Sequence, residues 1–168
     1  LTTGAFNLEN GQMDLKVIRY KEGESGGFSY FIPQAWWAIF SKPNLVAVGP
    51  DGSIYVEEYY NNTIQKFDSS GNFVTKWGGY GSYNGLFMYP QGIAVGPDGS
   101  VYVADTGNYR IQKFDGNGNL IAQWGTKGSA DGQFNGPNGI ASGPDGSLFV
   151  ADSSNYRIQK FDSNGNFR

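Results

Sequence analysis

Apolar and polar positions along this chain fall into short runs, each closed by glycine, asparagine or proline. In the middle of the sequence four such runs follow one another, Gly92–Val95, Val101–Asp105, Arg110–Phe114 and Leu120–Trp124. Runs of this length bounded by turn residues predict strands rather than helices. Pro97-Asp98-Gly99 suits a tight turn, because proline fixes φ at the first central position and glycine accepts a positive φ after it. The segment Asp115-Gly116-Asn117-Gly118-Asn119 supplies the same chemistry for the last hairpin. A glycine-rich stretch over residues 125–137 then returns the chain to a new unit.

The unit recurs. Gly-Pro-Asp-Gly-Ser begins at residues 49, 96 and 143, and Ile-Gln-Lys-Phe-Asp at residues 64, 111 and 158, a spacing of 47 each time. Residues 96–115 and 143–162 agree at 16 of 20 positions, and Trp77 and Trp124 hold the same register. Four antiparallel strands with a longer return, repeated, describe the blade of a β-propeller, so the expected fold is all-β. The repeats cover about 3.5 blades: the first over residues 44–77, the second over 91–124, and a third that stops at Arg168 before its outer strand. Residues 1–40 are expected to hold a degenerate half-blade, with strands near residues 16–20 and 27–31, and residues 41–168 three blades. Too few blades are present to close a ring, so a partner chain or further sequence is expected to complete it. An unpaired strand row is a template for another chain.

The run Asn108-Tyr109-Arg110-Ile111-Gln112-Lys113-Phe114 resembles the NHL repeat, together with Val103-Ala104-Asp105 before it. Gly132-Gln133-Phe134 and Pro137-Asn138-Gly139-Ile140-Ala141 after it fit the same pattern. The resemblance extends over roughly residues 40–168 and implies a propeller, commonly of six blades. It does not imply one activity. Members of the family act as protein or RNA interaction surfaces, as extracellular sensor or scaffold domains, and in one branch as an amidating lyase.

Composition narrows the chemistry. Of the 168 residues 26 are Gly and none is Cys or His. Thiolate nucleophiles, imidazole bases, His-containing triads and Cys/His zinc sites are thereby excluded. Lys and Arg number 12 against 15 Asp and Glu, a net charge of −3. That balance lacks the cationic excess that phosphate neutralisation needs, so nucleic acid is not expected as a partner. The longest apolar run, residues 28–40, includes Pro33 and is too short to span a bilayer. The sequence starts at Leu1 rather than Met, which is read as a processed or trimmed chain.

Candidate residues are few. Residues 31–40 carry Trp36, Trp37, Ile39 and Phe40 where the other units are glycine-rich. Side chains of this size need cover, either from their own N-terminal segment or from another subunit, and Trp is favoured at interface centres. Val17, Ile18 and Tyr20 in the N-terminal segment are candidates for strand donation to a partner. Asp105 with Arg110, and Asp152 with Arg157, stand five apart across a turn and suit a charge-assisted hydrogen bond that pins a hairpin. The first unit has Glu58 and Thr63 there, so its loop reads as released, with Tyr59 and Tyr60 as a contact patch. Asn61 opens the one Asn-x-Ser/Thr sequon and is a candidate for glycosylation if the protein is exported. Lys66, Lys113 and Lys160 recur at one position, read as edge lysines that discourage aggregation or as a ring of charge. The Asp-rich hairpins at residues 68, 115 and 162 lack the glycine and distal glutamate of a calcium loop and read as turns.

These features lead to a non-catalytic structural or interaction module, extracellular or at the cell surface, with no cofactor. It would assemble with other copies into a ring or a filament. Gly, Asn and Tyr on a neutral-to-acidic surface suit an exported assembly. Two alternatives stand beside this. One is a calcium-dependent hydrolase resembling lactonase-type propellers, with acidic and amide ligands at the centre. The other is an RNA- or protein-binding NHL domain, with Arg110, Arg157 and Lys127 as a local basic patch.

Overall fold

The computed structural model describes strands Gly4–Glu9 and Gln12–Val17 and, in full, residues 40–168. Gly4–Glu9 (β1) and Gln12–Val17 (β2) pair antiparallel as a hairpin. Val17 therefore lies in β2, earlier than the strand expected at residues 16–20. Ile18, Tyr20, Trp36, Trp37 and Ile39 fall outside the described residues.

The remainder is three antiparallel sheets. The first contains Pro43–Val48 (β3), Ile54–Glu58 (β4), Thr63–Phe67 (β5) and Phe73–Gly78 (β6). The second contains Gly92–Val95 (β7), Val101–Asp105 (β8), Arg110–Phe114 (β9) and Leu120–Trp124 (β10), residue for residue the strands expected from the sequence. The third has Pro137–Ser142 (β11), Leu148–Asp152 (β12) and Arg157–Phe161 (β13). A single bridge between Phe161 and Phe167 marks where its outer strand begins. Within each sheet the strands follow chain order, and β7 lies against both β3 and β11. The first strands of consecutive sheets thus adjoin on the axis side, as in a propeller whose ring is incomplete. Among the described residues no helix is long and apolar enough to cross a membrane.

The core lies between the blades. Tyr55 and Ile64 of the first sheet pack with Ile93, Val101, Val103 and Phe114 of the second, flanked by Leu45, Ala47, Trp77 and Val95. One repeat later Tyr102 and Ile111 pack with Leu148, Val150 and Phe161. Both faces of β8 are buried throughout, one against the first blade and one against the third, so the middle blade relies on a neighbour on each side. Each blade also receives a phenylalanine from the return before it. Phe87 meets Phe114, and Phe134 meets Phe161, with ring centroids 5.6 Å apart in both cases. Phe40 repeats this contact on Phe67 at 5.7 Å and is 6% exposed. Phe40 is therefore a core residue of the first blade rather than part of a free contact surface, because its ring completes the same aromatic pair as Phe87 and Phe134.

Two further contacts stitch the joints. The Trp77 ring covers Gly118, whose φ is +88°; an added Cβ there would fall 2.6 Å from the indole. Trp124 covers Gly165 in the same way. Lys66 Nζ donates to the Gly116 carbonyl at 2.9 Å, and Lys113 Nζ to the Ser163 carbonyl at 3.1 Å. Both ammonium groups also sit over a tyrosine ring, Tyr55 and Tyr102 respectively. These lysines lie on interior strands, so the edge-lysine and charged-ring readings are corrected: they tie each blade to the next.

One polar group interrupts the joint between the first two blades. Glu57 stands where the later repeats have Ala104 and Ala151, and it is fully buried. Its Oε2 accepts from Asn44 Nδ2 at 3.0 Å, while Oε1 has no partner among the described residues. Burial pushes its carboxyl up to about 7, with Glu58 adding to the rise; Asn44 and Lys42 oppose it.

Gly118→Ala is expected to lower stability by about 2–4 kcal/mol, combining the positive φ with displacement of Trp77. Gly99→Ala, where φ is +80° and the space is open, isolates the backbone part at about 1 kcal/mol. Thermal or urea unfolding of the two variants tests the difference. For Glu57 the folded carboxyl binds its proton more tightly than the unfolded one. Its contribution is thus fully present below about pH 4.5 and lost as pH rises through about 7. Stability is expected to fall by up to about 3 kcal/mol across that window, and Glu57→Gln to flatten the dependence in urea titrations at successive pH values. An unchanged profile in Glu57→Gln would refute the assignment.

Candidate interaction surfaces

Three features depart from a uniform repeat or face solvent, and each is built from a strand and the loop that follows it. The first is a carboxylate clasp. Asp105 ends β8 with its side chain fully buried, and Arg110 Nε donates to its Oδ2 at 2.7 Å. Asn108 Nδ2 and Gln112 Nε2 donate to the same carboxylate, and so does the Met88 backbone N–H at 2.7 Å. Arg110 Nη2 further donates to the carbonyls of Tyr83 and Leu86, and Asn108 to that of Gly81. The Gly85 N–H in turn donates to Gln112 Oε1. Asp152 repeats the scheme with Arg157 Nε at 3.0 Å, Asn155, Gln159 and the Asn135 N–H. The pair therefore holds more than its own hairpin: it grips the whole glycine-rich return of the preceding unit. A buried carboxylate is stable here because several donors converge on it.

In the first blade Glu58 occupies this position. Its carboxylate accepts from the Ser41 N–H at 2.8 Å, Thr63 Oγ1 at 2.9 Å and Gln65 Nε2 at 2.8 Å. The expectation that this loop is released is thus corrected, since the extra methylene of glutamate reaches the same donors without an arginine. Gln65 Oε1 has no partner among the described residues. Asn61 is exposed, with its amide 3.3–3.4 Å from the Glu58 oxygens.

The second feature is a tyrosine cluster on the loop side. Tyr59 lies 5.7 Å from Tyr60 and 6.0 Å from Tyr89, and Tyr89 lies 6.0 Å from Tyr80. Lys42 Nζ caps Tyr59 and Tyr60 at 5.0 and 4.7 Å from their centroids. Tyr60, Tyr80 and Tyr89 are exposed. Sequence adjacency indicated only Tyr59 and Tyr60. Tyr80 and Tyr89 join them because the clasped return folds back over the next blade, which no local signal discloses. Of the basic patch suggested by sequence, Arg110 and Arg157 are engaged with Asp105 and Asp152, and Lys127 Nζ lies 5.0 Å from the centre of the Tyr109 ring.

The third feature is the far face of the third blade. Phe149 is 41% exposed, whereas its equivalents Tyr55 and Tyr102 are 2% and 1%. Ile158 is 65% exposed, against 0% for both Ile64 and Ile111. Equivalent positions with near-identical chemistry are thus covered where the next blade packs on them, as in the first two sheets.

The Asp-rich hairpins contain no open ligand set. Asp115 Oδ1 accepts from the N–H groups of Asn117 and Asn119, and Oδ2 from Asn119 Nδ2 at 2.8 Å. Asp68 and Asp162 follow the same arrangement. These hydrogen bonds hold all three carboxyls below the ordinary carboxylate range, the asparagine side chain contributing most. Among the described residues no group of three acidic side chains is placed to hold a metal ion.

Structural comparison gives the same fold in proteins of different activity. A streptogramin B lyase superposes with a TM-score of 0.66 at 19% identity, over 98% of this chain and 50% of the lyase. An inactive variant of virginiamycin B lyase from Staphylococcus aureus, bound to quinupristin, gives 0.64 at 16%, over 99% of this chain and 55% of that one. A gluconolactonase from Xanthomonas campestris gives 0.62 at 17%, over 90% and 53%. The chain thus spans about half the length of these structures, and identities this low carry the fold alone. Among curated proteins none matches the chain in sequence. The NHL-repeat model matches residues 40–67, 87–114 and 134–161, together half of the sequence, each match starting on the phenylalanine that enters a blade core and ending on the one it meets. The chain therefore belongs to the NHL-repeat family.

Proposed function

We propose that this chain is a non-catalytic structural or interaction module, acting outside the cell or at its surface, which assembles with other copies of itself. The observation that carries this reading is the unfinished joint of the third blade. Phe149 and Ile158 keep the chemistry of an interblade core at positions that are otherwise buried, yet stand open to solvent. Exposed apolar groups arranged as half of a packed interface favour association. Whether the contact closes a ring or propagates depends on the rotation it imposes. The tyrosine cluster around Tyr59, Tyr60, Tyr80 and Tyr89 supplies a second surface, rich in a residue type favoured at interfaces.

A calcium-dependent hydrolase is the second reading, favoured by one observation: Glu57 with Asn44 breaks the repeat symmetry near the axis-side strands, and a propeller that acts as a gluconolactonase shares the fold. Against it stands the placement of the other carboxylates in satisfied turns and clasps.

Native mass spectrometry or light scattering of the chain is expected to show species at multiples of 18.3 kDa. A stable monomer across the micromolar range would overturn the assembly reading. Addition of calcium or EDTA is expected to leave the melting temperature unchanged. A calcium-dependent rise of several degrees would favour the enzyme instead.

A further inference from the structure

Four tyrosines beside the first joint stand where the next repeat carries small or basic residues. Tyr59 and Tyr60 take the places of Thr106 and Gly107, Tyr80 that of Lys127, and Tyr89 that of Gly136. Tyr60, Tyr80 and Tyr89 are 65%, 61% and 47% exposed. Tyr89 also holds φ at +50°, in the left-handed region that Gly136 enters at +94° with no side chain to strain it. Burial does not explain a bulky, half-exposed residue in that conformation, and such outliers concentrate at binding sites.

Asn62 sets the rings in a row. It is 4% exposed, and its side chain joins the two loops that carry them. Its Oδ1 accepts from the Tyr89 N–H at 2.7 Å, and its Nδ2 donates to the Tyr60 carbonyl at 3.2 Å. The Asn62 carbonyl accepts from the Gly79 N–H at 2.7 Å, next to Tyr80. The rings then follow in the order Tyr60, Tyr59, Tyr89, Tyr80, with centroids 5.7, 6.0 and 6.0 Å apart. Tyr59 and Tyr89, in the middle, lie within 31° of parallel. Aromatic side chains held by a buried amide in this way lose little freedom when they bind.

We infer that this row binds a neutral oligosaccharide, whose sugar rings stack through their C–H faces on the tyrosines. The inference goes beyond the assembly reading and does not rest on it. Three features select the ligand class. The rings stand open to solvent, whereas an apolar small molecule needs most of its surface buried in a cavity; a sugar needs one face covered and keeps its hydroxyls in water. The row is also small. A tyrosine buries about 150–250 Å² when fully covered, so four half-exposed ones offer roughly 400 Å², half of what each partner gives to a stable protein interface. Of the groups on the row only Lys42 is charged, and its ammonium already lies over Tyr59 and Tyr60, which supplies no cationic excess for nucleic acid. The phenol hydroxyls, the exposed Asn61 amide and the Lys42 ammonium are the donors for sugar hydroxyls.

Calorimetric titration of the chain with oligosaccharides of glucose, N-acetylglucosamine, mannose and xylose tests it. At least one is expected to bind in the millimolar range or tighter, with little dependence on salt. Tyr60→Gly, Tyr80→Lys and Tyr89→Gly install the residue of the next repeat, so the blades are expected to persist by circular dichroism. Each is expected to weaken binding at least about tenfold, as loss of one stacking ring does for bases on aromatic side chains. Tyr89→Gly is further expected to leave the melting temperature unchanged or raised, because it relieves the positive φ, whereas a tyrosine kept for packing alone would lower it. Tyr156→Asn, which alters a tyrosine 96% exposed on the third blade to the residue of the first repeat, is the control and is expected to bind as the unaltered chain does. No binding of any of the four oligosaccharides would overturn the inference, as would binding that survives all three row substitutions or is lost equally in the control. Light scattering of the same variants separates this site from assembly: row substitutions that abolish self-association while no sugar binds would assign the rings to a protein partner and overturn the inference. Sugar binding by a chain that stays monomeric would uphold it while the assembly reading fails.

Discussion

The middle blade depends on both neighbours to bury its second strand. β8 is closed to solvent on both faces, one packed on the preceding sheet and one on the following sheet, and β4 is buried on both faces too, with Tyr55 turned to the second blade and Ile54 and Val56 among Phe40, Phe67 and Phe73. Stability in such an array is a sum over joints rather than a property of one hydrophobic centre. The aromatic pairs, the tryptophan over glycine and the lysine reaching a hairpin carbonyl all lie on these joints.

The polar structure serves the same arrangement. A glycine-rich return has little apolar surface of its own, and its backbone N–H and C=O groups need partners. The buried carboxylates of Asp105 and Asp152 supply acceptors, while Arg110, Arg157, Gln112 and Gln159 supply donors. Glu58 reaches the same geometry by a different side chain, so the requirement is for a carboxylate in that space and not for the Asp–Arg pair as such. Glu57 is the contrasting case. It is a carboxylate inserted into an apolar joint with one oxygen unpaired among the described residues, and burial makes it hold its proton to higher pH.

Function does not follow from the architecture, since proteins of this fold include a lyase and a lactonase. What distinguishes a site on a repeating scaffold is departure from the repeat. In this chain the departures are an aromatic cluster on the loop side, a buried glutamate near the axis and the exposed face of the third blade. The first and last are exposed apolar or aromatic surfaces, and the second is a single group with one amide partner among the described residues.

The period of 47 residues, the strand bounds of the middle unit and the hairpin turns were legible in the sequence, because glycine, proline and the Asp–Asn pairs fix local backbone conformation within a few residues of themselves. The Asp105–Arg110 spacing was legible for the same reason. The destinations of Lys66, the partners of Glu58 and the gathering of Tyr80 and Tyr89 beside Tyr59 were decided only in the folded chain. Each joins residues about 17 to 50 positions apart, across a return whose path no local preference sets. Local chemistry thus determined the blade, and packing between blades determined which of its side chains stay exposed.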